Sequence, residues 1–398
     1  MGKRVAIVGF GQTYQRSSRK DVNGPELINE AVRAALEDAG LTIKDIDAIV
    51  IGNMDHFEGV NYVDSWSVEG SGGVMKPIFK LTTGGTTGST VAMAGYYHVA
   101  SGMFDRVLVI GWEKNSESDT TGAIVTAFNP VWERPRFGGA IAGLAVEASK
   151  YMHNYKVTER DGARVAVRER LHALNNPYTH LHQEWMKSME IEQIVDLLIT
   201  SEENQMLAYP LRMSDMCPRT DGAAAAIFAS EDIAEKIAPK PAWVVSTHNR
   251  HNYALLGDID WDSNDTLESA SKAVFKDAGI KEPFKEIDVC ELYLPYSYAG
   301  LKWMESIGFC GPGEGPKLVW DGHTDMDGEL PVNPSGGVMS SNPIGATGLL
   351  RVGEGALQVM GKAGDRQVKG GDVKYAFTTG FGGCNWADVM LLGKKKPS

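Results

Sequence analysis

Apolar residues along the chain fall into two alternating kinds of run. Short continuous runs closed by glycine, Arg4–Gly9 and Ile46–Gly52, have the character of buried strands. Between them, Gly24–Gly40 places Leu27, Ile28, Ala31, Ala34 and Ala35 near helical spacing and closes on Gly40, a residue suited to the left-handed turn that ends helices. The same order then returns. Phe275–Ile280 followed by Glu286–Tyr293 repeats Glu37–Leu41 followed by Asp45–Val50, and the loop, helix and strand of Gly84–Gly102 and Arg106–Ile110 parallel Gly345–Gly361 and Lys374–Thr379. Two matched pairs in one order predict an internal duplication, each copy a mixed sheet covered by helices. The expected halves are residues 1–250 and 251–398. Inside the first, about 113–218 is expected to be an inserted lobe, helical over Ala140–Tyr151 and Glu159–Leu174, which rejoins the fold through the small-residue strand Ala223–Ala229.

Composition narrows the function classes. The 398 residues suffice for one large domain or two ordinary ones, and a net charge of −12 argues against a general nucleic-acid binder. The N-terminus reads as a strand and turn and not as a signal peptide, and no apolar run approaches the ~18 residues of a spanning helix. Cys217, Cys290, Cys310 and Cys384 lie far apart with no C-x-x-C spacing, which fits a reduced, cytoplasmic chain with no metal site and no bound cofactor of its own. Gly9 and Gly11 offer part of a dinucleotide fingerprint, but its third glycine and its acidic partner are missing, so a nicotinamide site is not expected.

The densest chemistry lies in Asn333–Gly348, NPSGGVMSSNPIGATG, a glycine-built loop leading into a helix. Such a loop presents backbone N–H groups to developing negative charge. Taken with Thr220–Ala225 and the duplication, NPSGG and GATG resemble the thiolase superfamily along nearly the whole chain, with the sterol-carrier-type branch fitting best. The resemblance implies a duplicated α/β fold in five layers (αβαβα), a homodimer core and a coenzyme A thioester as substrate. Within that branch, Met54–Glu58, Asn129–Glu133 and Glu291–Tyr296 are most similar to the thiolase subunits that cleave 2-benzoylsuccinyl-CoA in anaerobic toluene degradation. Such subunits pair with a small zinc-ribbon and OB-fold protein, so the resemblance also implies that partner.

The usual catalytic residues of the family are absent. The place of the nucleophilic cysteine falls at Gly85, the histidine of GHP becomes Asn342, and a further histidine motif becomes Tyr293–Tyr296. Thr86 and Thr87 would serve as nucleophiles only beside a base. Cys384, after Gly382 and Gly383, lies near a family cysteine position with no histidine close by in sequence. The expected chemistry is direct attack by coenzyme A on a β-ketoacyl thioester, entering space left by Gly85. Gly383 N–H and the Asn342 amide are the expected oxyanion donors, Tyr293 the donor to the ketone, Glu291 a candidate base, and His56 a candidate titrating group. Arg134 and Arg136 are candidates for a second carboxylate, with Phe128 and Trp132 as walls for an aryl group. Arg164, Arg168 and Arg219 are candidates for the coenzyme A phosphates, with Ser335 and Gly336 on the loop. Two alternatives stay open: a retro-aldolase acting on a β-hydroxyacyl-CoA, and a non-catalytic thiolase-like scaffold subunit.

Overall fold

The computed structural model describes residues 2–59, 63–136, 138–262, 264–368, 370–383 and 386–397. Its first half contributes β1 (Val5–Gln12), α1 (Gly24–Ala39), β2 (Ala48–Gly52), β3 (Ile78–Leu81), α2 (Thr87–Ala100) and β4 (Arg106–Lys114). After β4 come the helices α3 (Thr120–Val125), α4 (Ala140–Tyr155), α5 (Glu159–Ala173) and α6 (Ile191–Thr200). Strand β5 (Asp221–Ser230) closes the first half. The second half holds β6 (Ala242–His251), and so begins ahead of the expected residue 251; it continues with α7 (Asp265–Ala278), β7 (Val289–Glu291), α8 (Ala299–Ile307), α9 (Ile344–Met360), β8 (Tyr375–Phe381) and β9 (Trp386–Gly393).

Among the described residues these nine strands hydrogen-bond in the order β3-β2-β4-β5-β1-β6-β9-β8-β7. The duplication is visible in the signs of the pairings. Reading outward from the centre, β1-β5-β4-β2 runs antiparallel, antiparallel, parallel, and so does β6-β9-β8-β7. The two half-sheets join through only two residue pairs, Ala6–Trp243 and Ile7–Ala242.

Side-chain alternation builds the layers. Val5, Ile7, Val107 and Val109 face inward onto α2 and α9, which also pack on Ala376, Met390 and Leu392 of the second half-sheet. Their neighbours Ala6, Val8, Leu108 and Ile110 face outward onto Leu27, Ile28, Ala31 and Ala35 of α1. Phe377, Val389 and Leu391 face outward onto Leu267, Ala270, Val274 and Phe275 of α7. The result is the expected five layers, with two helices sandwiched between two half-sheets.

Helix ends follow local chemistry. Asn23 and Glu26 form a reciprocal capping box at the start of α1, and Gly40 ends it at φ 64°. The central helix α9 is buried along its whole length, which explains its small and apolar composition. It crosses α2 backbone to backbone: a Cβ on Gly88 would lie 2.6 Å from Leu349 N, and one on Gly348 would lie 2.3 Å from Ser89 N.

Two expectations change. The strand expected over Glu286–Tyr293 forms only at Val289–Glu291, because Leu292 and Tyr293 leave the ladder to bond Asn333 and Thr379. The arginine-rich helix α5 is buried from Gly162 to Arg170 and is not a solvated face. No helix among the described residues is long and apolar enough to cross a membrane.

Candidate active site

The NPSGG segment is a brace. Asn333, at φ 53°, receives Leu292 N–H on Oδ1 and donates from Nδ2 to Glu169 Oε2 at 2.7 Å. Ser335 donates its N–H and hydroxyl to Glu291 at 3.0 and 2.8 Å, and Arg351 pairs with the same carboxylate. Burial pushes the Glu291 carboxyl up while Arg351 draws it down. Glu291, expected as a base, is therefore held in an internal ion pair. Ser335 and Gly336, expected at the ligand, are buried; a Cβ on Gly336 would lie 2.5 Å from Ala173 Cα. What this brace does is hold the strand end that carries Tyr293 against the loop that carries Asn342.

Those two side chains meet. Tyr293 OH lies 3.2 Å from Asn342 Oδ1, and Thr347 Oγ1 donates to the same oxygen at 2.8 Å. Two hydroxyls on the amide oxygen fix its orientation, and Asn342 Nδ2 then points to Cys217 Sγ at 3.2 Å. Thr220 Oγ1 and Asn115 Nδ2 hold the Asn342 backbone at 2.9 and 3.0 Å. A thiol is a weak acceptor, so this amide N–H is ready to be taken by a stronger one such as an oxyanion. Burial, with the neighbouring Cys217, pushes the Tyr293 phenol well up, so it remains a proton donor. Burial also pushes the Cys217 thiol up to about 11, which leaves it protonated near neutral pH.

Gly85 lies at the start of α2, but the room expected beside it is filled. A Cβ there would sit 2.3 Å from Phe381 O, so the β8 backbone occupies the place a cysteine side chain would need. The expectation that Gly85 leaves space for the coenzyme A thiol is corrected accordingly. Thr86 and Thr87 donate their hydroxyls to Thr83 O and Gly84 O at 2.7 and 2.6 Å. Gly382 N–H donates to Trp386 O at 3.0 Å, so that half of the expected glycine turn is already bonded; Gly383 follows it at φ 80°. Cys384 lies outside the described residues. Phe381 stacks toward Tyr293 and Trp303, with ring centroids 6.2 and 4.7 Å away, which ties this turn to the Tyr293 end of the site.

The remaining expected residues scatter. Arg164 pairs with Asp325 at 2.6 Å and Arg168 with Glu169 at 2.7 Å, both inside the protein, so neither is placed to hold a coenzyme A phosphate. Arg219 is exposed, next to the Thr220 that braces Asn342. Arg134 donates to Phe128 O at 2.9 Å within its own loop; Arg136 and Trp132 are exposed and Phe128 is half-buried. That loop is anchored by buried Glu133, which accepts from Asn129 N and Leu256 N at 2.9 and 2.6 Å. His56 is exposed, although its neighbours Met54 and Phe57 pack on Ile344 at the start of α9. A cavity of about 410 Å³ opens elsewhere, against α5, and of the expected residues only Arg168 lines it.

Cys217, Thr347 and Thr220 had no place in the sequence reading. The available signal was the segment Asp215–Gly222 leading into β5, which puts Cys217 at the mouth of a central strand. No group of three or more His, Cys, Asp or Glu among the described residues is arranged to hold a metal ion.

Against known proteins, residues 5–232 match the family description "Thiolase, N-terminal domain" and residues 249–394 match "Thiolase C-terminal domain-like". An acetyl-CoA acetyltransferase of Methanothermobacter thermautotrophicus is 32% identical over 93% of this chain and 94% of its own length. The benzoylsuccinyl-CoA thiolase subunit BbsB of Thauera aromatica is 28% identical over 74% of this chain and 73% of its own. A solved structure titled Ltp2-ChsH2(DUF35) aldolase superposes with a TM-score of 0.82 at 23% identity, covering 99% of this chain and 98% of that one.

Proposed function

The chain belongs to the thiolase family and is an acyltransferase of that family, and on this premise we propose that it cleaves a β-ketoacyl-CoA thioester by direct attack of coenzyme A, without an acyl-enzyme. The observation that carries the reading is the pairing of an absent nucleophile with a retained oxyanion site. Position 85 has no side chain and no room for one, and the Cys217 thiol stays protonated, while Asn342 keeps an amide N–H opposed only by that thiol.

The step balances without a cofactor, coenzyme A entering as substrate. Its thiol sulfur bonds to the ketone carbon and generates an oxyanion, which accepts from Asn342 Nδ2 and from the Tyr293 hydroxyl, the latter turning away from Asn342 Oδ1 while Thr347 keeps that oxygen in place. Collapse breaks the bond between the ketone carbon and Cα, releasing one new thioester and the enolate of a second. The proton lost by the thiol ends on the enolate carbon. Both donors act on the oxygen that gains charge, so their effect falls on the transition state.

The substrate reading is an aryl-ketone thioester with a second carboxylate, 2-benzoylsuccinyl-CoA, giving benzoyl-CoA and succinyl-CoA. The likeness to BbsB supports it, as do Phe128 and Trp132 beside Arg134 and Arg136, in the loop that follows α3. The reading takes Arg219, exposed beside Thr220, as the arginine for a coenzyme A phosphate. BbsB is named as a subunit, and the solved aldolase is named together with a DUF35 protein. On that support the reading includes a homodimer core and a small zinc-ribbon and OB-fold partner. Retro-aldol cleavage is a second reading, favoured by a tyrosine at the site; but the phenol, held protonated by burial, is a poor base for the substrate hydroxyl. A scaffold role leaves unexplained why the Asn333–Glu291–Arg351 brace still holds Tyr293 against Asn342, whose amide N–H faces a weak acceptor.

Initial-rate kinetics test the proposal. Intersecting double-reciprocal lines and no acylated peptide in the absence of coenzyme A are expected. Parallel lines with an acyl group on any cysteine overturn it, and full cleavage without coenzyme A favours the retro-aldolase.

A further inference from the structure

Behind Asn342 two carboxyls are buried against each other. Glu113, at the end of β4, accepts Asn53 Nδ2 on Oε1 at 2.6 Å, and Met54 N and Gly345 N on Oε2 at 3.1 and 3.0 Å. Glu58, from the loop after β2, accepts Lys114 N at 2.9 Å and the same Asn53 Nδ2 at 3.3 Å, both on Oε1. Its other oxygen, Oε2, is buried without a donor among the described residues. The contact with α9 is tight, since a Cβ on Gly345 would lie 2.5 Å from Glu113 Oε2. Burial pushes both carboxyls up; Glu58 pushes Glu113 further up, while the hydrogen bond with Glu113 draws Glu58 down.

We propose that Glu58 and Glu113 hold one proton between them and that this pair positions Asn342, fixing the first turn of α9 while carrying a single negative charge. The donors decide where the proton sits. Every oxygen of Glu113 already receives an N–H, as a carboxylate would, whereas Glu58 Oε2 receives none and is free to carry a proton toward its neighbour. One negative charge at the Gly345 N–H suits the N-terminus of a helix. A second would face the oxyanion forming at Asn342, three residues before Gly345, and would oppose it.

Among the described residues no other charge compensates the pair. The Lys114 ammonium turns to Val22 O at 2.9 Å and to Glu117, and Asp55 on the Glu58 loop is paired with Lys80. His56 is exposed, and α3, whose Ala123 and Ile124 cover Met54 and Phe57, carries no charged side chain; neither does the first turn of α9. The Tyr293 phenol and the Cys217 thiol, both held neutral, complete the surroundings, and Glu113 acts electrostatically on Tyr293.

The role in rate rests on the thiolytic reading, so the test has two arms on the full chain. Infrared titration is expected to show a carboxylic-acid C=O band at neutral pH that is missing in Glu58→Gln. The kcat/KM of the wild type should fall at alkaline pH with the midpoint of that band, and Glu58→Gln should lose this alkaline limb because its amide cannot ionise. Glu58→Ala, which also loses the contacts to Asn53 and Lys114, should lower kcat by about 10²-fold, as a misplaced catalytic group does, and Glu58→Gln should restore most of it. Absence of the band, or an unchanged alkaline limb in Glu58→Gln, overturns the proposal. A chain that shows the band but cleaves no thioester in the presence of coenzyme A upholds the pair and overturns only the thiolytic reading.

Discussion

The two central helices begin at one site, and their beginnings differ. At the start of α2, Gly85 lies against a carbonyl, and Thr86 and Thr87 turn their hydroxyls back onto their own loop. At the start of α9, Asn342 keeps an amide proton facing a weak acceptor, with Tyr293 alongside. Duplication supplied two comparable helix N-termini. One has been closed by backbone packing, and the other keeps an amide N–H facing a weak acceptor beside a buried phenol. The proposed thiolysis rests on the second start alone.

The largest expected effect tests whether the second start depends on its brace. Arg351→Ala leaves Glu291 buried without its ion partner and should cost about 3–5 kcal/mol of stability, measured by urea unfolding. A loss under 1 kcal/mol would show that the brace is not needed. Next, Asn342→Ala should lower kcat by about 10²–10³-fold with thermal stability little changed, the behaviour of an oxyanion donor. An effect confined to KM would move Asn342 from transition-state stabilisation to plain binding.

Smaller effects probe the closed start. Gly85→Ala forces a methyl into the Phe381 carbonyl and should destabilise by about 1–3 kcal/mol, read from the same unfolding curves. A neutral outcome would mean that the turn after β8 moves aside easily, which would reopen position 85 to ligand. The smallest effect is expected at Cys217. Because burial holds its thiol up to about 11, iodoacetamide labelling at this residue should be slow at neutral pH and rise about tenfold per pH unit toward that value. Fast labelling at pH 7 would mean a thiolate, and Cys217 would then be a candidate nucleophile.

Much of the fold was legible because periodicity is local. Glycine-terminated runs marked β1 and β2, Gly40 marked the end of α1, and the repeat order anticipated matching half-sheets. Tyr293 and Asn342, singled out because they stand where a family motif stands, meet in the structure. The misses share a cause in distance along the chain. Asn342 meets Cys217 across 125 positions, and Arg164 meets Asp325 across 161, so no window of sequence shows either. Arg164 and Arg168 were read as phosphate candidates, since a pattern of charges does not reveal partners waiting inside the fold. The room imagined at Gly85 was taken by backbone, which leaves no trace in side-chain chemistry.

The crossing of α2 and α9 at Gly88 and Gly348 has a consequence for mutational freedom. Neither position can acquire a methyl group unless the other helix retreats, and retreat would separate the two starts of the site. A library that randomises both positions and selects for turnover should therefore return glycine at each. The surrounding apolar positions of the same helices, filled by side chains that can trade volume with one another, should return many solutions. The innovations open to this scaffold then lie in its loops and in the residues just ahead of the helices, while the crossing itself leaves no room for a side chain.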